Sequence, residues 1–244
     1  MGKVSVMAKT VSVGMAVYNG EKYLPAQIDS ILKQLKDDDE LVISYDQSID
    51  GTKALIDAYA ENDSRVRVIE NDRPGIVGNF NNALKHCRKD IIFISDQDDE
   101  WAPGKRDKMV AALESSHADL AIHNAVHVDA NGNPISKSLF EMYNIHSGIW
   151  RNFTRPRYSG CCMAFTTKAK KLILPMPESV INYDHWVGMV CELFGSVVFV
   201  DDVLLHHRLH GGNVTTSRRT IRIVAQQRFN LLRELMKRKR QLQK

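Results

Sequence analysis

Four short apolar segments alternate with helical patterns between residues 11 and 116, and this alternation limits the possible folds more than any other feature of the sequence. The segments predict a strand that ends in an Asn-Gly turn over residues 11–20, and strands over 40–46, 65–71 and 90–96. Between them, and again over 104–116, apolar residues recur at the intervals of an amphipathic helix. Strands that alternate with helices form parallel sheets with helices on both faces. We therefore expect an α/β fold with a Rossmann-like, mostly parallel central sheet.

The alternation stops after residue 117, and the second half of the chain predicts a mixed architecture. Residues 118–135 predict a strand and a hairpin around Asn131-Gly132, and residues 136–158 predict an irregular loop able to cover a substrate. Further predictions are a strand at 160–165, a helix at 184–194 and a strand at 196–210. We expect one domain over residues 1–217, with halves at about 10–117 and 118–217, followed by a basic helix at 218–244.

The composition is typical of a soluble globular protein, with 43% hydrophobic and 25% charged residues. No apolar run approaches the roughly 18 residues that cross a membrane. The amino-terminal MGKVSVMAKT lacks the apolar core of a signal peptide, and the four cysteines show neither a CxxC pair nor the spacing of a zinc site. These features predict a reduced, cytoplasmic protein.

The segment ISDQDDEW, residues 94–101, places carboxylates directly after the fourth predicted strand. In open α/β sheets, ligands bind beyond the carboxyl ends of the strands. Carboxylates on a rigid strand end are suitable ligands for Mg²⁺ or Mn²⁺. A capped turn is an equally good explanation of the acidic residues alone, whereas a Ca²⁺ loop of the EF-hand type would need a glycine and a later glutamate that are missing here.

Six segments in fixed order extend the pattern: SVGMAVYNGEKYL, ISYDQSIDGT, ISDQDDEWAPGK, YSGCCMAF, YDHW and HRLHGGN. Together they resemble family 2 glycosyltransferases of the GT-A fold, in particular the bacterial rhamnosyltransferase-like branch, over residues 10–213. The resemblance implies an inverting, metal-dependent glycosyltransferase with Mn²⁺ or Mg²⁺ as cofactor. The implied donor is a UDP-, dTDP- or GDP-sugar. The implied acceptor is a glycan or a lipid-linked saccharide in bacterial surface polysaccharide synthesis.

The resemblance also implies roles for residues at the strand ends of the first half. Asp98 and Asp96 match the family's DxD pair as metal ligands, and Asp96 could also contact the ribose, with Asp99 capping the next turn. His210 would complete the metal shell or touch the diphosphate. The implied nucleotide-binding residues are Ala16, Tyr18, Asp46 and Asp96. Asp46 would accept a hydrogen bond from the base, although Tyr45 and Gln47 depart from the family pattern. Arg73 is a further candidate for phosphate or base contact, or a solvated arginine.

In the second half, the resemblance implies that Asp184 is the catalytic base, which would take the proton of the acceptor hydroxyl. A helix N-cap is the alternative role for this aspartate. Gly160 and Trp186 are the implied acceptor-binding residues, and Gly211 and Gly212 would allow the backbone to approach phosphate. For Trp101, Trp150 and Trp186, stacking on a sugar and packing in the core both remain open.

The carboxyl-terminal segment is strongly basic, with ten Lys or Arg residues and one acid between Arg218 and Lys244. One helical stripe is formed by Ile221, Ala225, Phe229, Leu232 and Met236. A basic amphipathic helix can bind a membrane surface, or it can dock on the domain and bury its apolar stripe there. Nucleic-acid binding is disfavoured because the rest of the chain is mildly acidic and carries no recognition motif.

Two alternative functions remain on sequence grounds. A sugar-nucleotidyltransferase would need a glycine-rich loop with basic residues after the first strand, whereas this chain has AVYNGEKYL there. A non-catalytic nucleotide- or membrane-binding module would not need the acids and the histidine that the resemblance places in the site.

Overall fold

The first half of the chain folds as the predicted alternation of strands and helices. The computed structural model describes residues 8–210 and 220–243. The strands of this half are β1 (Val11–Val17), β2 (Glu40–Tyr45), β3 (Val66–Glu70) and β4 (Ile91–Ser95). The helices that follow them are α1 (Leu24–Leu32), α2 (Thr52–Asn62), α3 (Ile76–His86) and α4 (Lys105–Ser116). The strands pair in parallel in the order β3-β2-β1-β4, which confirms the predicted Rossmann-like half.

The second half continues the same sheet with mixed strand directions, as predicted. Its strands are β5 (Glu100–Trp101), β6 (Leu120–Val128), β7 (Pro134–Ser138), β8 (Met163–Thr166) and β9 (Val197–Arg208). Strand β8 runs antiparallel between β4 and β6, and β9 pairs in parallel with β6. Strand β5 pairs antiparallel with β9 at the edge of the sheet, and β7 forms the predicted hairpin with β6. The described residues thus form one nine-stranded sheet.

Several short elements differ from the sequence prediction. The predicted irregular loop at 136–158 contains two helices, α5 (Leu139–Tyr143) and α6 (Ile149–Thr154). The predicted strand at 160–165 begins as a 3-10 helix, Gly160–Cys162, and α7 (Thr167–Ile173) follows β8 without having been predicted. These helices have at most two turns, which is too short for a hydrophobic period to show. Their ends are set by local caps, such as the Ser138 side chain, which accepts from the amide of Glu141.

The strand register brings the predicted site residues to one edge of the sheet. Val17 at the end of β1 pairs with Tyr45 of β2, and Met15 pairs with Ser95 of β4. The residues that follow these three strands therefore leave the sheet side by side. Close packing beneath them is aided by Gly14, where a Cβ atom would lie 2.8 Å from the Leu84 side chain of α3.

The last two helices lie on the second half of the domain. Helix α8 (Tyr183–Phe194) is largely buried, and α9 (Ile221–Leu242) packs against it. The docked face of α9 includes Leu231, Glu234, Leu235 and Arg238. The Arg238 guanidinium donates to the carbonyl oxygens of residues 172, 174 and 175 and lies 5.3 Å from the Trp186 ring centroid.

The docked face of α9 is not the apolar stripe identified in the sequence. Phe229, Leu232 and Met236 are 62%, 46% and 50% exposed, and Ile221 is 89% exposed. The helix therefore docks as one alternative predicted, but the expectation that docking buries this stripe is wrong. A partly polar face, held by Arg238 and Glu234, makes the contact instead.

Candidate active site

Three chain segments meet at the carboxyl end of β4. Asp96 and Asp98 follow β4, His210 follows β9, and Tyr183 and Asp184 begin α8. The Nε2 atom of His210 lies 2.9 Å from Oδ2 of Asp98, and the Tyr183 hydroxyl donates to Oδ1 of Asp96 at 3.0 Å. The three predicted metal ligands are therefore brought to one place, next to the helix that carries the predicted base.

The acidic residues of this site lie close enough to repel one another. Partial burial and the charges of Asp99 and Asp98 raise the pKa of Asp96 to about 7. Burial and the Asp99 charge also raise the pKa of Asp98, against the opposing effect of His210. Below Asp96, the buried Gln27 amide donates to the Asp96 carbonyl at 2.9 Å and to the Ser95 hydroxyl at 2.7 Å. The acidic loop is therefore fixed by backbone and side-chain contacts.

The donor set fits the divalent cation that the fold family implies. Two crowded carboxylates offer hard oxygen ligands, and the imidazole of His210 adds a nitrogen at hydrogen-bond distance from one of them. Burial and neighbouring carboxylate charges raise the pKa of both Asp96 and Asp98, and a divalent cation would offset these charges. Gly211 and Gly212, predicted to approach phosphate, lie outside the described residues.

Asp99 has a different role from the predicted turn cap. Its side chain is fully buried, and Oδ1 accepts from the Arg208 amide at 3.0 Å and pairs with Nδ1 of His207 at 2.9 Å. Burial alone would lower the pKa of His207, but the hydrogen bond and charge of Asp99 raise it to about 9. Asp99 therefore connects the acidic loop to β9. His207 of β9 is its partner.

Gln97, the middle residue of the DxD segment, joins the ends of two strands. Its side-chain oxygen accepts from the Tyr18 amide at 2.9 Å, and its side-chain nitrogen donates to the Tyr18 carbonyl at 2.8 Å. A primary amide can make this double contact because it presents a donor and an acceptor side by side. The contact fixes the backbone of Tyr18, whose ring is 54% exposed, beside Asp96. Ala16 lies two residues earlier in β1 and is partly buried.

Asp46 lies at the end of β2 but is only 7% exposed. Its two carboxylate oxygens accept from the Asn71 side chain at 2.7 Å and from the Gly75 amide at 2.9 Å. Asp46 therefore holds the loop between β3 and α3. Arg73 extends from that loop with its side chain 73% exposed, and its guanidinium lies 3.5 Å from Glu178.

Asp184 lies in the first turn of α8, whereas the N-cap residue of this helix is Asn182. One oxygen of Asp184 accepts from the next backbone amide, that of His185, at 2.7 Å. The alternative that Asp184 is the N-cap is therefore wrong, because Asn182 holds that position. The Asp184 side chain nevertheless accepts a hydrogen bond from the first turn of its own helix. The Tyr183 contact with Asp96 places this turn beside the acidic loop.

The structure corrects both predicted acceptor contacts. Trp186 is completely buried, and its indole donates to the Ile173 carbonyl at 2.9 Å, so its ring is a core element and cannot stack on a sugar. Gly160 is buried as well, and a Cβ atom there would lie 2.2 Å from the Tyr183 ring. Its lack of a side chain gives room to Tyr183. Trp101 is also a core residue, whereas Trp150 is 82% exposed.

A buried lysine that sequence reasoning missed lies close to the acidic loop. Lys105, at the start of α4, has no exposed surface, and its ammonium donates to the Cys161 carbonyl at 2.8 Å. The ammonium also lies 4.5 Å from the Trp101 ring centroid. Burial lowers the pKa of Lys105 to about 8, although nearby thiols and Asp99 oppose the shift. A lysine at a helix start is usually solvated, so no feature of the sequence indicates that Lys105 is buried.

Several known proteins are similar to this chain in sequence. The sequence profile described as "Glycosyl transferase family 2" matches residues 12–173. Chondroitin synthase from Escherichia coli is 27% identical over 238 residues, which are 93% of this chain and 33% of the synthase. The chain spans less than two thirds of the length of the first curated relatives that it matches.

Two solved structures have the same fold. S. aureus TarS 1–349 in complex with UDP aligns with a TM-score of 0.67 and 22% identity, over 82% of this chain and 60% of that chain. The mannosyltransferase PcManGT from Pyrobaculum calidifontis in complex with GDP-Man and Mn²⁺ aligns with a TM-score of 0.65 and 19% identity, over 85% and 59%. Because the family profile covers more than half of the sequence, the chain belongs to glycosyltransferase family 2, and the structural alignments show that it has the GT-A fold.

Proposed function

We propose that this chain is an inverting glycosyltransferase that moves a sugar from a nucleotide-sugar donor to a saccharide or lipid-linked acceptor in bacterial surface polysaccharide synthesis. The observation that carries the proposal is the convergence of Asp96, Asp98 and His210 at the end of β4, with α8 held beside them by Tyr183. The polysaccharide context rests on the similarity to a chondroitin synthase.

The nucleotide of the donor would bind over the ends of β1 and β2. Ala16 and Tyr18 would border the base, and Arg73 would contact base or phosphate when its exposed pairing with Glu178 opens. Asp46 would position the β3–α3 loop around the nucleotide, and its oxygens retain lone pairs for a base contact. The UDP and GDP-Man complexes of the two structural neighbours support a nucleoside diphosphate here.

Asp96, Asp98 and His210 would hold Mn²⁺ or Mg²⁺ at the diphosphate, as the Mn²⁺ complex of one neighbour supports. Such a cation supplies Lewis-acid stabilisation of the negative charge on the leaving phosphate. Asp98 and His210 would orient the diphosphate, and Asp96 would be kept in place by Tyr183 and Gln27.

Asp184 would act as the general base of the transfer. Its carboxylate would accept the proton of the acceptor hydroxyl while the hydroxyl oxygen attacks C1 from the face opposite the diphosphate. The hydrogen bond from the His185 amide to Oδ1 helps to orient the carboxylate. A fixed base of this kind contributes to the rate through proximity and orientation.

A donor screen tests the proposed function. The full chain is mixed with UDP-, dTDP- and GDP-sugars, with and without Mn²⁺, and its thermal unfolding is measured. We expect one class of donor to raise the melting temperature only when Mn²⁺ is present, because a ligand that binds only the folded state adds to its stability. Pyrophosphate release from a nucleoside triphosphate and a sugar phosphate, with no response to any nucleotide sugar, would instead indicate a nucleotidyltransferase.

Replacing Tyr183 with phenylalanine tests the link between α8 and the acidic loop. The substitution removes the hydroxyl that donates to Asp96 but keeps the ring against Phe80. We expect Mn²⁺ to bind about ten- to a hundredfold more weakly, as is typical for loss of an outer-shell hydrogen bond. The matched control is Tyr158→Phe, which changes another buried tyrosine. Equal Mn²⁺ affinity in both variants and the native chain would show that the contact is not functional.

Helix α9 would bind an anionic membrane surface through its exposed apolar stripe. No helix in residues 8–210 and 220–243 combines the length and the apolar character needed to cross a bilayer. The stripe of Ile221, Ala225, Phe229, Leu232 and Met236 is exposed beside the docked face. By helical geometry, Arg222, Arg233 and Arg240 follow one margin of the stripe. Apolar side chains flanked by arginines match a lipid surface that carries negative charge.

Vesicle binding tests this surface. We expect the chain to sediment with phosphatidylglycerol vesicles and to remain in solution with phosphatidylcholine vesicles. Phe229→Glu should weaken binding about tenfold or more, because burial of one aromatic side chain contributes roughly 1.5–3 kcal/mol. Gln241→Glu, an equal charge change on an exposed residue of α9 that lies away from both the stripe and its arginine margin, is the control. The proposal would be contradicted if the native chain bound neither kind of vesicle, or if the two variants lost equal amounts of vesicle binding.

A further inference from the structure

A second group of ligand-type side chains lies behind the proposed catalytic cation site. Asp99, Cys161 and His207 each direct one potential ligand atom into a common space, and the three atoms lie within 4.8 Å of one another. Asp99 and Cys161 are buried, and the His207 side chain is 22% exposed. The three residues come from the β4–β5 connection, the 3-10 helix before β8 and the end of β9.

Polar atoms around this group lack partners in the part of the chain that the structure describes. Oδ2 of the fully buried Asp99 has no hydrogen-bond donor there, although Oδ1 accepts two hydrogen bonds. Nδ1 of His127 is likewise buried without a partner, and its ring lies 5.2 Å from that of His207. A buried carboxylate oxygen without a donor is costly unless something else compensates its charge.

The chemistry of the group differs from that of the proposed catalytic site. Asp96, Asp98 and His210 offer mainly hard oxygen ligands, whereas Asp99, Cys161 and His207 offer one oxygen, one sulfur and one nitrogen. A thiolate with an imidazole and a carboxylate is a donor set for Zn²⁺ and similar borderline or soft cations, and only weakly for Mg²⁺.

We propose that Asp99, Cys161 and His207 form a second cation site, selective for Zn²⁺-type metals and separate from the catalytic cation. The cation would take the place of the proton between Asp99 and His207 and of the Cys161 thiol proton, and both protons would be released to solvent. Oδ2 of Asp99 would gain its missing partner. The nearby imidazole of His127 is a candidate fourth ligand.

A cation at this position would cross-link three segments that are distant in sequence. Asp99 directly follows Asp98, His207 lies three residues before His210, and the Cys161 carbonyl binds the Lys105 ammonium. The site would therefore fix both chain segments that carry the proposed catalytic ligands. The cysteine spacing gave no sign of a zinc site because the ligands are contributed one at a time by separate elements.

Cadmium is a direct probe, because Cd²⁺ bound to a thiolate gives an ultraviolet charge-transfer absorption. The full chain is freed of metal with a chelator and titrated with Cd²⁺. We expect the band to saturate at one Cd²⁺ per chain, to disappear on addition of Zn²⁺ and to persist in excess Mg²⁺. We expect Cys161→Ser to abolish the band and His207→Gln to weaken Cd²⁺ binding about tenfold or more. Absence of a band in the native chain would overturn the proposal.

Two kinds of control variant separate this site from its surroundings. Cys162→Ser and Cys191→Ser change other buried free cysteines and should keep the band. A band that survives Cys161→Ser but is lost in Cys162→Ser would overturn the assignment. Asp98→Ala should also keep the band, because Asp98 belongs only to the proposed catalytic site. Loss of the band in Asp98→Ala would mean that there is a single shared site. If Cys161→Ser does not fold, as judged by circular dichroism, the Cd²⁺ affinity of His207→Gln tests the site instead. A native Cd²⁺ affinity in His207→Gln would then overturn the proposal.

Discussion

Replacing Asp98 with alanine is expected to lower the rate of sugar transfer about a hundred- to a thousandfold, the usual loss when one group that stabilises developing negative charge is removed. Oδ2 of Asp98 lies 2.9 Å from His210, and both residues face the position proposed for the diphosphate. Without the carboxylate, the cation would lose a hard oxygen ligand and the leaving phosphate would keep more of its charge. The rate of nucleoside diphosphate release, measured with the donor from the screen, checks this result.

The matched control for Asp98 is Asp202→Ala, which removes an exposed carboxylate in the middle of β9 that pairs with Lys108 of α4. This variant should transfer sugar at the native rate. The Asp98 variant should also fold normally, because its carboxylate repels its neighbours and its pKa is raised by burial and by Asp99. A native transfer rate in Asp98→Ala would contradict the proposed cation site.

Replacing Asp184 with asparagine is expected to lower transfer about a hundred- to ten-thousandfold, the range for a general base. The amide oxygen of asparagine can still accept the hydrogen bond from the His185 amide, so the shape of the first turn of α8 is retained. What changes is the ability to take a proton. The measurement is the rate of sugar transfer to the acceptor, made with a donor and an acceptor that the native chain uses.

A second readout separates a base from a residue that only shapes the helix. Donor binding should be unchanged in Asp184→Asn, because Asp184 faces the acceptor in the proposed geometry, whereas in Asp98→Ala it should weaken. Asp57→Asn, which alters an exposed pair on α2, is the control for the chemistry of the substitution. Unimpaired transfer in Asp184→Asn would exclude this residue as the base.

The parallel half of the fold could be predicted because each of its elements carries its own signal. Strands β2 and β4 are buried along their whole length and are mostly apolar in sequence, and α3 buries one side against β1 and β2. The positions of Asp96 and Asp98 then followed from the rule that ligands bind at the carboxyl ends of strands. The strand register places Tyr18 and Asp46 at the same edge.

Contacts between distant segments could not be predicted in this way. Gln97 joins Tyr18 through a side-chain amide, Asp99 pairs with His207, and Tyr183 reaches Asp96 across 87 positions of sequence. The periodicity of apolar residues indicates which residues share one face of a helix or strand, but it does not indicate which other segment that face contacts. For the same reason, the sequence does not decide between sugar stacking and core packing for Trp186, which the structure buries in the core.

The carboxyl-terminal helix shows this limit clearly. Its apolar stripe was identified correctly from the spacing of Phe229, Leu232 and Met236, but the structure leaves that stripe exposed and docks a neighbouring face instead. The docking relies on the Arg238 guanidinium, which reaches three carbonyl oxygens at the end of α7. A charged residue on a basic helix gives no sequence signal for such a buried contact.

The most direct test of the proposed active site is the binding of Mn²⁺ measured by electron paramagnetic resonance, with and without the nucleoside diphosphate of the preferred donor. In the native chain, the diphosphate should increase the affinity for Mn²⁺, because the protein ligands and the phosphate oxygens share one cation. In Asp98→Ala, the increase should be lost. The same diphosphate-dependent increase in the native chain and in Asp98→Ala would contradict the assignment of Asp96, Asp98 and His210 as the cation site.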